Sequence, residues 1–114
     1  MSTEEAETTI RRAQWPTEES LLRQLRQAVF VEEQGVPPEI EWDGRDAEAS
    51  HVLALRNGRP LGCGRLLPDG KIGRMAVLPP ERGRGIGHRL LEALLNAASE
   101  AGLEEVYLHA QQHA

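Results

Sequence analysis

The chain has 114 residues, 39% of them hydrophobic, which is the size and composition of one globular domain and not of a disordered segment. No apolar run is long enough to cross a bilayer, and the polar, acidic start lacks the form of a signal peptide. A net charge of −5 argues against nucleic acid as the main partner.

Cys63 is the single cysteine. It excludes an internal disulfide and a cysteine-based zinc site, fits a reducing cytoplasm, and reads as a buried strand residue. The charge is uneven. Residues 1–50 carry 12 acids and 5 bases, whereas residues 51–114 carry 6 acids and 8 bases. The plain reading is a solvated acidic first half. The functional reading is an acidic half that faces a cationic substrate and a mildly basic half that faces an anionic cofactor.

Residues 1–7 read as a disordered leader, and residues 8–114 as the domain. Loose alternation over residues 8–15 predicts a first strand. Pro16 and Thr17 signal a helix start, with Glu18 and Glu19 in the turn where the helix dipole favours acids. Leu21, Leu22, Leu25, Ala28 and Val29 then recur at helical spacing and bury one face. Gly35, Val36, Pro37 and Pro38 end that element. Glu39, Glu41, Asp43, Asp46 and Glu48 follow and read as a long acidic loop.

Residues 51–56 form a short apolar strand, and Asn57-Gly58 suits a two-residue hairpin turn because both residues tolerate positive φ. The return strand covers about residues 60–67. Asp69-Gly70 reads as a second such turn, and residues 71–78 as the next strand. These three strands predict an antiparallel meander, stopped by Pro79-Pro80. Residues 85–101 form an amphipathic helix with Ile86, Leu90, Leu91, Leu94, Ala97, Ala98 and Ala101 on one side. Gly102 closes it. Residues 106–110 predict a last strand, which, after a helix, is expected to be parallel to its neighbour.

The segment that carries chemistry is Arg82-Gly83-Arg84-Gly85-Ile86-Gly87-His88, between a strand and a helix. The first turn of a helix leaves amide N–H groups unpaired and carries a partial positive charge. Glycines open the turn and admit a ligand closely. Together they form an anion site suited to a diphosphate, with Arg82 and Arg84 at its rim. A Walker loop is excluded, because Gly70-Lys71 is followed by Ile72. A dinucleotide fingerprint is excluded too: the position of its third glycine is His88 or Leu90, depending on the starting pair. A plain glycine-rich connection is the simpler alternative, but three alternating glycines weaken both loop and helix unless something requires them.

The pattern Arg82-x-x-Gly85-x-Gly87, after a strand ending Met75-Ala76-Val77 and at the start of a helix, resembles the signature of the GNAT N-acetyltransferase superfamily. The segment Val29-Phe-Val-Glu-Glu-Gln34, then Glu41, Asp43 and Asp46, and later Leu108-His-Ala-Gln-Gln-His-Ala114, is similar to the ElaA-type subgroup. The resemblance implies a mixed, mainly antiparallel α/β sheet flanked by helices. It also implies acetyl-coenzyme A as cosubstrate, no metal, and direct transfer of the acetyl group to a primary amine. Amides of Gly83, Arg84, Gly85, Ile86 and Gly87, with His88 next, would hold the diphosphate. Main-chain groups of Met75 and Val77, on either side of Ala76, would pair with the pantetheine arm. The last two strands would splay, with the thioester in the gap.

Direct transfer needs a base for the ammonium, a donor for the developing oxyanion and an acid for the leaving thiolate. Glu33, Asp43 and His109 are the candidate bases. Each also has a structural reading: a helix-end cap, an ordered loop and strand packing. His51 and Trp42 read as structural. The expected partners are a small-molecule or peptide amine and a second copy of the chain in a homodimer, with no nucleic acid and no membrane. In the family a helix bearing a Phe-Tyr pair and two further strands follow this point, and that Tyr commonly protonates the thiolate. The chain stops at Ala114, so the C-terminal strands and the usual acid are expected to be missing.

Overall fold

In the computed structural model, which describes residues 7–108, five strands form one sheet in chain order. β1 (Thr9–Ala13), β2 (Ser50–Arg56), β3 (Arg59–Leu66) and β4 (Lys71–Val77) are antiparallel to their neighbours, and β5 (Tyr107–Leu108) pairs in parallel with β4. This is the expected mixed, mainly antiparallel architecture. The β2–β3 turn places Asn57 at φ 53° and Gly58 at φ 74°, the left-handed pair whose twist matches that of the flanking strands.

Helix α1 (Trp15–Arg26) continues as a π-helical stretch, Gln27–Glu33, and covers one face of the sheet. Helix α2 (Pro38–Glu41) is a single turn, and helix α3 (Ile86–Glu100) covers the other face. Strand alternation divides the core accordingly. Leu22, Leu25, Val29 and Phe30 pack on Leu53, Cys63 and Ala76. Ile86, Leu90, Leu94, Ala97 and Ala98 pack on Val52, Ala54, Leu66 and Ile72. The second contact is tight: a Cβ on Gly64 would lie 2.7 Å from Leu94 Cδ1, and one on Gly62 would lie 3.0 Å from Leu90 Cδ1. Small residues on β3 thus let α3 sit close to the sheet, and this seats its N-terminus at the end of β4.

Several local expectations are corrected. β1 ends at Ala13, and Trp15 opens α1 instead. The helix start falls at Gln14, two residues past which Pro16 supplies a fixed φ. Glu18 leaves helical geometry at φ −113°, ψ 18°, as its carboxylate pairs with Arg11 from β1. In the second turn only Gly70 is left-handed, while the Asp69 carboxylate accepts the Lys71 N–H at 3.2 Å. The acidic stretch is not a loop free in solvent: it contains α2 and a 3₁₀ turn, Asp46–Glu48.

Candidate active site

The glycine turn has the geometry of an anion cradle. Gly83 (φ 79°) and Gly85 (φ 82°) are both left-handed, and Gly85 caps α3. Side chains other than glycine occupy that region only with strain. The first main-chain bond of the helix runs from Arg89 N–H to Gly85 O at 3.1 Å. Among the described residues, the amides of residues 83–88 have no main-chain acceptor, so they remain available to a bound anion. Gly87 is the informative member. Its φ is ordinary, and an added Cβ would meet only Val77 Cγ2, at 3.9 Å. Neither backbone conformation nor packing requires a glycine there.

β4 leads from this cradle to a cleft of about 340 Å³. β5 pairs with β4 only at Lys71 and Ile72, so past Ile72 the second edge of β4 has no strand beside it among the described residues. The register of β4 on β3 is irregular between Cys63 and Arg65, opposite Arg74, which is left-handed at φ 48°. This bulge sets β4 off its regular register on β3. The cleft floor is residues 71–75, with Phe30 and Gln34 on the α1 side and Leu108 on the β5 side.

Arg82 does not point into the cradle. Its Nη1 and Nη2 donate to Glu33 Oε2 and Oε1 at 2.7 and 2.6 Å, and its Nε donates to Val77 O at 2.9 Å. The Arg82 hydrogen bond holds the Glu33 carboxyl below the usual range, against a small opposing effect of burial. Val77 O, expected to pair with a pantetheine arm, is therefore already engaged, and Met75 is the open position. Arg84 and His88 are exposed, near Glu81 (3.9 Å) and Glu92 (3.6 Å) respectively.

The acidic stretch is drawn inward. Arg26, 1% exposed, donates from Nε to Glu41 Oε2 and from Nη1 to Asp46 Oδ1, both at 2.6 Å. Arg65 bridges Asp46 (3.0 Å) and Asp43 (2.9 Å). Arg74 reaches Glu41 and Asp43, both at 3.2 Å. Three acids thus face three arginines, and Glu41 and Asp46 are buried. Burial by itself raises the Asp43 pKa. Hydrogen bonds from Arg65 and the Arg45 amide, with the charges of Arg65 and Arg74, outweigh it and hold the carboxyl well below the usual range. A carboxylate so stabilised is a weak base. His51 is buried, donates from Nε2 to Asp46 O at 2.9 Å and stacks on Trp15 at 5.1 Å. Burial pushes its pKa down. The Arg23 and Arg26 guanidinium groups each lie 4.7 Å from the Trp42 ring.

The structure thus brings Glu33 to the cradle through Arg82 and ties Asp43 into the arginine network. His109 lies outside the described residues. Sequence reasoning missed Arg74 and Lys71 as cleft residues. The one available signal was a cation next to Gly73 inside an otherwise apolar strand.

With this geometry in place, the comparisons with known proteins agree. The model of the acetyltransferase (GNAT) family matches residues 8–114, and the chain belongs to that family. A Bacillus subtilis protein described as an uncharacterized N-acetyltransferase, YjcF, is 38% identical over 93 residues, which cover 79% of this chain and 66% of that protein. The chain therefore spans just under two thirds of that relative. An acyl-CoA N-acyltransferase from Pseudomonas aeruginosa superposes with a TM-score of 0.81 at 36% identity, over 92% of this chain and 80% of the other. Escherichia coli ElaA superposes with a TM-score of 0.82 at 28% identity, over 92% and 79%. No described helix is long and apolar enough to cross a membrane.

Proposed function

We propose that this chain binds acetyl-coenzyme A along β4 and transfers its acetyl group directly to a primary amine. The observation that carries this reading is Gly87, a helical glycine that the fold does not need, among unpaired amides at the end of a strand whose edge opens into a cleft. Those amides and the α3 dipole would bind the diphosphate. The free edge of β4 at Met75 would take the pantetheine amides like an added strand. The thioester would then lie at the cleft floor. There the amine nitrogen forms a bond to the carbonyl carbon, the C–S bond breaks, and the thiolate takes up a proton. A base must first remove the ammonium proton. Of the two described candidates, Glu33 is exposed and held by a single exposed arginine, and it serves as the base in this reading once the diphosphate draws Arg82 away from it. Asp43 is set aside, because its arginine partners keep it a weak base.

The test is calorimetric titration of acetyl-coenzyme A into the parent and into Gly85→Glu, followed by a thiol-release assay over a panel of amines. Binding by the parent and its loss in a folded Gly85→Glu are expected. Equal binding by both would put the donor elsewhere. Donor binding without thiol release from any amine would leave a donor-binding module and not a catalyst.

A further inference from the structure

Among the described residues, the cleft floor carries two cations and no acid. Lys71 and Arg74 line it, and the other residues around it are neutral. No described residue pairs with the Lys71 ammonium or accepts a hydrogen bond from Arg74 Nη1: the Arg74 bonds run from Nη2 to Ile40 O, Glu41 O and Asp43 Oδ2, at 3.2 Å each. Arg74 is also the residue at the bulge, at φ 48°. A non-glycine residue in that region inside a strand is strained, and such strain persists where the surroundings over-determine it. Here the carbonyls of Ile40 and Glu41 and the carboxylate of Asp43 hold the guanidinium at the cleft wall. Arg26, Arg65 and Arg74 balance Glu41, Asp43 and Asp46 one for one, so the network adds no net charge, and the Lys71 ammonium is the unpaired cation of the cleft among the described residues.

The two cations also lie at the right end of β4. The glycine cradle follows Val77, whereas Lys71 begins the strand, six residues earlier and roughly 20 Å away. A donor laid along β4 with its diphosphate in the cradle would present its acyl group near residues 73–75. Lys71 and Arg74 would then border the space that the acceptor enters.

We infer that the acceptor amine carries an anionic group, a carboxylate or a phosphate, which Lys71 and Arg74 recognise. This rests on the donor reading above. The net charge of −5 repels anions at long range, so a preference for one must come from local contacts. Lys71 supplies a charged donor, and Arg74 a further one, on the lining of one cleft.

The experiment uses the full chain saturated with coenzyme A and measures acceptor binding by calorimetry, so it does not require turnover. Phenylalanine is compared with phenylalaninamide, and phosphoethanolamine with ethanolamine. At least one anionic member should bind about tenfold more tightly than its neutral partner, as a charge-assisted contact implies. The pair that shows the effect identifies the anion. In Lys71→Gln that ratio should fall toward one. Lys71 is used because Arg74 also holds the buried network, where a substitution risks unfolding. Equal affinities within both pairs, tighter binding of the neutral members, or an unchanged ratio in Lys71→Gln would each overturn the inference while the donor reading stands. Failure of coenzyme A to bind would overturn the donor reading itself, and the same pairs titrated into the ligand-free chain would then decide the anion preference.

Discussion

Glu33 and Arg82 form a two-point ion pair, at 2.6 and 2.7 Å, that joins the π-helical end of α1 to the glycine turn before α3. It ties the proposed base to the arginine proposed to meet a diphosphate, so each is engaged while the pair holds. Both groups are well exposed, where such pairs are weak. A diphosphate can therefore displace Glu33.

Glu33→Gln should thus raise donor affinity by about two- to fivefold, the range expected on removing an exposed competing pair. The same substitution should lower the rate of acetyl transfer, because an amide cannot accept the ammonium proton. Calorimetry and single-turnover kinetics separate the two effects. Weaker donor binding in Glu33→Gln would mean that the pair organises the cradle and does not compete with the ligand.

Gly87→Asp distinguishes a ligand-imposed glycine from a fold-imposed one. The backbone there accepts any residue, and the nearest atom to a new Cβ is 3.9 Å away. An acid in the first turn of a helix is favourable, so the thermal midpoint should hold or rise. Donor affinity should fall by roughly 100-fold or more, because the carboxylate would occupy the anion site and repel a diphosphate. Retained affinity would place the diphosphate elsewhere.

The buried network should dominate the response to substitution. Arg26→Ala would leave Glu41 and Asp46 buried without their closest cation. Breaking such a pair from one side costs about 3–5 kcal/mol, read as a lower urea midpoint. The pH dependence follows from Asp43. Its folded pKa lies below the ordinary value of 3.8, so its contribution is fully present above that value and is lost progressively as the pH falls below it towards the folded pKa. Asp43→Asn should therefore be less stable than the parent at pH 6 and closer to it at pH 3. A constant difference between the two pH values would show that Asp43 adds no titrating stability.

Cys63 is a packing residue and should behave as one. It is 1% exposed between α1 and the sheet, and burial pushes its thiol up to about 12. Thiolate is the reactive form, so iodoacetamide should leave the native protein unmodified over hours and label it rapidly in urea. Prompt labelling under native conditions would mean that α1 opens readily from the sheet.

What the sequence determined by itself is what depends on near neighbours. The Asn57-Gly58 turn, the apolar face of α3 and the glycine turn at its start are all properties of short segments. They emerge because backbone preference and helical period act over a few residues. The family resemblance rested on one of them, and the match over residues 8–114 agrees with it. The tertiary structure decided everything that depended on distant partners. Glu41, Asp43 and Asp46 look like a solvated run in sequence, yet Arg26, Arg65 and Arg74 come from α1, β3 and β4 to meet them. An arginine that will be buried is not distinguishable along the chain from one that will face water. The bulge at Arg74 was likewise invisible, because it follows from how β4 meets β3. The cleft is also a tertiary feature, since Phe30, Gln34, β4 and Leu108 meet there from separate parts of the chain.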